Sequence, residues 1–232
     1  MIENIIVGAG LSGATLARKL ADKGEKVLVI EKRDHIGGNT YDYIDTKTGI
    51  RLSKYGAHIF HTNSEVVWSF VNQFSEWNMY KHKVLSYVNG KHVPVPVNIT
   101  TVNELFDLKI SNISEMQSWL KENQVKGEIN NSKDSALAKV GQELYKLMFE
   151  NYTIKQWDLN PSELEPSVLE RIPVRDTFND RYFSDKYEAL PSNGYTEFVK
   201  NILDHKNITV KLNTEYNNSI HKSNKLFFTG KI

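Results

Sequence analysis

Residues 5–13 read IIVGAGLSG, an apolar run that ends in three glycines spaced G-x-G-x-x-G. The run suits a parallel strand buried on both faces. From Ser12 to Lys23, small and apolar residues (Ala14, Leu16, Ala17, Leu20, Ala21) recur at helical spacing, and Gly24 is placed to end the helix. A second apolar strand follows in KVLVIEK, residues 26–32. Strand, glycine turn, helix and strand form one βαβ unit. In that context Gly8 permits the tight turn, Gly10 lets backbone approach a diphosphate, and Gly13 allows close packing of helix on strand. The helix N-terminus offers free N–H groups to the anion. Glu31, at the end of the second strand, is positioned to accept hydrogen bonds from a ribose.

Two further glycines, Gly37 and Gly38, follow Glu31 in EKRDHIGGNT, residues 31–40. A plain β-turn would account for them taken alone. After the first motif, a second glycine turn that brings backbone N–H groups to a longer dinucleotide favours FAD over NAD, and acid-then-Gly-Gly resembles the extended fingerprint of FAD-dependent oxidases and reductases.

Beyond this unit the texture changes. VLSYVNG and KHVPVPVN flank an Asn-Gly pair and predict a hairpin, with Pro94 and Pro96 confining the second run to an edge. Helical patterning covers most of residues 101–157, broken by a polar loop at 126–134. A short helical piece after Pro161 and a polar, aromatic stretch come next, and the closing segments read helix, strand, strand. The expected fold is α/β: a discontinuous Rossmann-like domain (1–80 and 191–232), a partial antiparallel sheet layer (81–100 and 176–190) and a helical substrate domain with a mobile flap (101–175).

Composition narrows the function classes. Lysine and arginine total 29 against 28 aspartate and glutamate, a net charge of +1 over 232 residues. No global field argues for nucleic acid or a membrane surface. Cysteine is absent, which removes disulfides, thiolate metal sites and cysteine nucleophiles and fits a reducing compartment. No run is long enough to span a bilayer and the N-terminus has no signal-peptide pattern, so a cytoplasmic protein is expected. His58 and His61 lack further ligands, and no metal is expected.

Six segments in register then carry a resemblance: EKRDHIGGN, YGAHIFHT (55–62), NYTIKQW (151–157), ERIPVR (170–175), DRYF (180–183) and LPSNGYT (190–196). The series resembles the bacterial UDP-galactopyranose mutases from Ile5 to about Gly230. The resemblance implies an isomerase that uses flavin without net redox: N5 of reduced FAD attacks the anomeric carbon of UDP-galactopyranose, UDP leaves, and the sugar recloses as the furanose used in cell-surface glycans. The cofactor is then the nucleophile, and no side chain is a catalytic residue in its own right.

For the cofactor, the resemblance adds Ser12, Lys32, Asn39, His58 and Ile59 to the glycines and Glu31. For the substrate it implies Arg171 on the diphosphate, Tyr152 stacked on uracil beside Thr153, Trp157 bordering the sugar, and Tyr182 donating its phenol to phosphate. Phe149 would wall the uridine pocket, although packing accounts for it nearly as well; His82 joins the substrate side. Arg175 and His61 are left as structural. His82 stands where the family usually has asparagine, and Met148 where an aromatic is common. The family's chain continues past NKLFFTG through a Gly-Pro turn, where Lys231 stands here, into a C-terminal part that this sequence lacks. The expectation is therefore that the chain alone is inactive. UDP-galactose is the implied partner, and a homodimer is left open. The competing readings are an amine-oxidase or desaturase-like flavoenzyme, which would reduce its flavin with substrate, and a non-catalytic nucleotide-binding fragment.

Overall fold

The computed structural model describes residues 2–218, 221 and 223–230; Lys231 lies outside them. In chain order the elements are β1 (Ile2–Val7), α1 (Leu11–Ala21), β2 (Val27–Ile30), β3 (Asp42–Ile44), β4 (Arg51–Ser53), β5 (Phe60–Thr62), α2 (Glu65–Val71) and β6 (Trp77–Met79). Then come the hairpin β7 (Val84–Val88) and β8 (Lys91–Val95) and the helices α3 (Ile99–Phe106), α4 (Ile113–Asn123), α5 (Ser132–Tyr145), α6 (Asn151–Trp157) and α7 (Ser167–Glu170). The last are β9 (Tyr187–Pro191), α8 (Gly194–Leu203), β10 (Ile208–Lys211) and β11 (Ser223–Phe228). They form two compact units: Met1–Tyr80 with Asp185–Ile232, and Lys81–Ser184.

The first unit is built on a parallel sheet ordered β10-β2-β1-β11. Val7 pairs with Ile30 on one side and Phe228 on the other. One face of β1 and β2 (Ile6, Val27, Val29) packs with Ala14 and Ala17 of α1 and Phe198, Val199 and Ile202 of α8. Alanines on α1 let the helix lie close to the strands. The helix ends as its sequence predicts: Gly24 N–H bonds to Ala21 O, and Glu25 N–H to Leu20 O, a Schellman pair of bonds. A second, antiparallel sheet joins β5, β9 and β6, with Trp68 stacked on Tyr187 at 4.5 Å.

Asp42 ties β3 to α8. Its carboxylate, 4% exposed, accepts from Tyr195 N at 2.8 Å and Thr196 N at 3.0 Å, and its backbone exchanges hydrogen bonds with Thr196 Oγ1. A buried acid thus satisfies the otherwise orphaned donors at the start of a helix. Asp42→Ala is expected to cost about 2 kcal/mol, with Asp42→Asn intermediate. Urea unfolding reads the loss, and an unchanged midpoint would show the clasp to be idle.

The second unit contains the β7–β8 hairpin, turned at Asn89 and Gly90 with both φ angles positive, as an Asn-Gly turn requires. Its helices bury Val102, Met116, Val140, Leu144, Tyr145 and Leu169 in one cluster. Three features depart from expectation. The helix expected after the polar loop starts at Ser132 rather than past Asp134, because Asn131 caps it by accepting from Asp134 N. The long helical run is interrupted at Gly141 (φ 77°, ψ 176°) and becomes a π-helical turn over Lys146–Glu150 before α6. Finally, residues 81–100 and 176–190 do not form one layer. They share the single bridge Lys83↔Arg181, while β9 pairs with β5 and β6 in the first unit.

Candidate functional site

A cavity of about 770 Å³ opens in the first unit at the end of β1. Gly8, Gly10, Ser12, Glu31, Lys32, Gly37, Gly38 and Asn39 line it. Gly13 does not; its role is underneath. A Cβ there would sit 1.9 Å from Gly8 O, so the start of α1 rests on the turn itself. The two glycine turns touch: Gly37 N–H donates to Ala9 O at 2.9 Å, and a Cβ on Gly38 would lie 3.0 Å from Gly10 Cα. Gly10 is the N-cap of α1 and supplies no side chain, and the first turn holds no acid. The leading N–H groups are thus left to an anion.

Glu31 is 7% exposed, and its carboxylate is already held: Ala9 N donates to one oxygen and Arg33 N to the other, each at 2.9 Å. Each oxygen keeps a second lone pair for a ribose hydroxyl. The uncapped helix, the apposed glycine turns and this oriented acid fit a dinucleotide. The sequence reading missed Arg33, Thr214, Tyr216 and Thr229 on the cavity wall. Thr229 donates to Val7 O at 2.9 Å and closes over the first turn; no spacing signals it, because it arrives from β11. Arg33 donates to Asn39 Oδ1 at 3.1 Å and lies over the Tyr55 ring. His58 and Ile59 are half-buried outside the cavity lining. The His58 ring is bonded through Nδ1 to Gly56 O and set edge-on to Tyr195. Burial pushes the Tyr195 phenol up to about 12. His61 pairs with Asp185 at 3.0 Å.

In the second unit, the π-helical turn shifts the register entering α6. Tyr152 (61% exposed) and Trp157 stand out in solvent, while Thr153 is buried and its hydroxyl has no hydrogen-bond partner among the described residues. Phe149 is a core residue of the helical cluster. His82 and Tyr182 are brought together: Tyr182 N donates to His82 O at 2.7 Å and their rings meet edge-on at 5.6 Å. Arg171 and Arg175 have opposite fates. The Arg175 guanidinium donates to the carbonyls of Asn179, Arg181 and Tyr182, and burial, with Arg181 nearby, depresses its pKa. Arg171, at the end of α7, is exposed, and none of the described residues holds its guanidinium. Among the described residues no cluster could hold a metal ion.

Residues 6–74 match a family model described as an NAD(P)-binding Rossmann-like domain, and residues 147–232 match that of UDP-galactopyranose mutase. The chain is 43% identical to a probable UDP-galactopyranose mutase of Klebsiella pneumoniae over 91% of its own length and 56% of the relative's. It is 38% identical to the dTDP-fucopyranose mutase of Escherichia coli (98% and 63%) and 34% identical to the UDP-galactopyranose mutase of Mycoplasma genitalium (98% and 58%). The chain thus spans roughly three fifths of the length of these relatives. A crystal structure of reduced UDP-galactopyranose mutase superposes with a TM-score of 0.67 at 19% identity, over 91% of this chain and 49% of that one, which establishes the shared fold. Over nearly all of its length the chain is thus similar in sequence to UDP-galactopyranose mutases, and its residues 147–232 match that family's model.

Proposed function

We propose that the chain carries the cofactor site and part of the substrate site of a flavin-dependent sugar-nucleotide mutase that interconverts UDP-galactopyranose and UDP-galactofuranose. The observation that carries this reading is the contact of two glycine turns beneath an uncapped helix N-terminus, with Glu31 fixed at the rim. A dinucleotide that stops at a nicotinamide needs only the first turn; FAD uses both. Bound and reduced, the flavin supplies a nucleophilic ring nitrogen for exchange with UDP at the anomeric carbon, with no net redox change.

The chain's own groups do the holding. Backbone N–H groups at Gly10 to Gly13, with the Gly38 turn beside them, take the FAD diphosphate; Ser12, Lys32 and Asn39 line its path, and His58 and Ile59 border the isoalloxazine. On the substrate side the exposed Tyr152 ring stacks on the base, backed by Phe149 and the Thr153 hydroxyl. Tyr182 donates to a phosphate oxygen beside His82, and Trp157 borders the sugar. Arg171, whose fork is unengaged, grips the diphosphate as it leaves. No described helix is long and apolar enough to cross a membrane, and the cytoplasm, where sugar nucleotides are made, is the proposed setting.

Purified protein is expected to release flavin on denaturation. In the FAD-loaded, reduced protein, Arg171→Ala should weaken UDP binding by about tenfold or more while leaving flavin content unchanged. Release of NAD(P) without flavin would overturn the cofactor assignment. Undiminished UDP affinity would return Arg171 to the surface.

A further inference from the structure

A four-residue helix ending at an exposed arginine is a poor support for a ligand clamp, since a single turn is not stable by its own hydrogen bonds. The bond that reaches Arg171 itself is the stretched one: Arg171 N to Ser167 O spans 3.4 Å, against 3.0 Å for Glu170 N to Pro166 O and 3.1 Å for Ile172 N to Leu169 O. On one side Leu169 anchors the turn in the helical core at 2% exposure. What holds the other side comes from α5. The Lys139 ammonium donates to the carbonyl of Glu170 in a close contact, and to that of Ile172 at 3.3 Å. These are the two carbonyls that flank Arg171.

We propose that Lys139 is a positioning residue for Arg171: by bonding the backbone on both sides of it, Lys139 sets the direction in which the free guanidinium meets a nucleoside diphosphate. The proposal rests on the reading of Arg171 as a diphosphate ligand. Lys139 is half-buried, and burial lowers its pKa against the opposing effect of Glu170, as for an ammonium that has traded water for carbonyl oxygens. A charged donor at the last carbonyls of a helix is also favourable in the helix field. Lys139 and Arg175 divide the labour: each spends its charge on main-chain carbonyls around residues 170–182, and Arg171 keeps its own for the ligand.

The test is a double-mutant cycle on the FAD-loaded chain, with UDP and uridine as titrants. Lys139→Met is expected to weaken UDP by about tenfold and leave uridine unchanged, and Lys139→Arg to restore UDP binding. The Lys139→Met/Arg171→Ala double variant should bind UDP no more weakly than Arg171→Ala, because coupled residues do not add. Amide exchange at Arg171 and Ile172 should accelerate in Lys139→Met while the melting temperature falls little. Additive losses, or an equal loss for uridine, would make Lys139 a merely structural residue and overturn the proposal. Should Arg171→Ala lose UDP affinity while Lys139→Met does not, the proposal fails and the reading of Arg171 stands. Undiminished UDP affinity in Arg171→Ala, or no UDP binding by the unaltered chain, removes both.

Discussion

Gly13→Ala is expected to abolish dinucleotide binding and to cost at least about 3 kcal/mol of stability. The added methyl would lie 1.9 Å from Gly8 O, 3.0 Å from Gly8 C and 3.1 Å from Thr229 Oγ1. Two of those atoms are backbone, so no rotamer change relieves the overlap. Either α1 lifts from the sheet or the first turn opens. Overpacking typically costs about 1–3 kcal/mol and more when backbone must move. Lifting α1 also carries the leading N–H groups away from the place a diphosphate would occupy. Urea unfolding and flavin release measure the two consequences separately. A variant that kept its flavin at native stability would show that helix and turn are not in contact.

Gly141→Ala should be nearly as damaging, for a different reason. Its backbone (φ 77°, ψ 176°) lies in a region that only glycine occupies without strain, at a cost of about 1–3 kcal/mol for other residues. The new Cβ would also fall 2.2 Å from Asn123 O, at the end of α4. Together these predict a loss of about 4 kcal/mol, at the exceptional end for a single substitution. The glycine allows α5 to break where the end of α4 presses on it. A urea midpoint equal to the parent's would mean instead that the helix runs straight through position 141.

Legibility in the sequence follows how local the cause is. The βαβ unit and the Asn89–Gly90 hairpin could be read directly, because glycine geometry and apolar spacing act within a few residues. The short strands between 42 and 79, and β9, gave no pattern. Each is three to five residues long; β3 and β4 pair only with each other across a short loop, while β5, β6 and β9 exist because partners more than a hundred residues apart supply their hydrogen bonds. The break at Gly141 was hidden because flanking residues keep helical spacing, and the reason for it sits on α4. Similarly, Glu31 could be named as a carboxylate for a ribose, but not as one already oriented by Ala9 and Arg33. Arg175 and Lys139 bond to carbonyls, which every residue has, so no motif announces them. Residue type and spacing do not separate Arg171 from Arg175; the resemblance does, and the fold adds that the Arg175 guanidinium is held by main-chain carbonyls.

The pairing of β1 with β11 has a consequence for how the protein is made. Val7 must wait for Phe228, more than two hundred residues later in synthesis, before the second edge of its strand is covered. At about 5–20 residues per second that is a wait of roughly ten to forty seconds. The contiguous second unit has all its strands and helices in hand well before then. On the ribosome it can therefore close first, while Ile5 and Ile6 still present an unpaired edge. Such an edge is a template for the wrong neighbour, so the first strand made is an aggregation hazard of the nascent chain until β11 arrives.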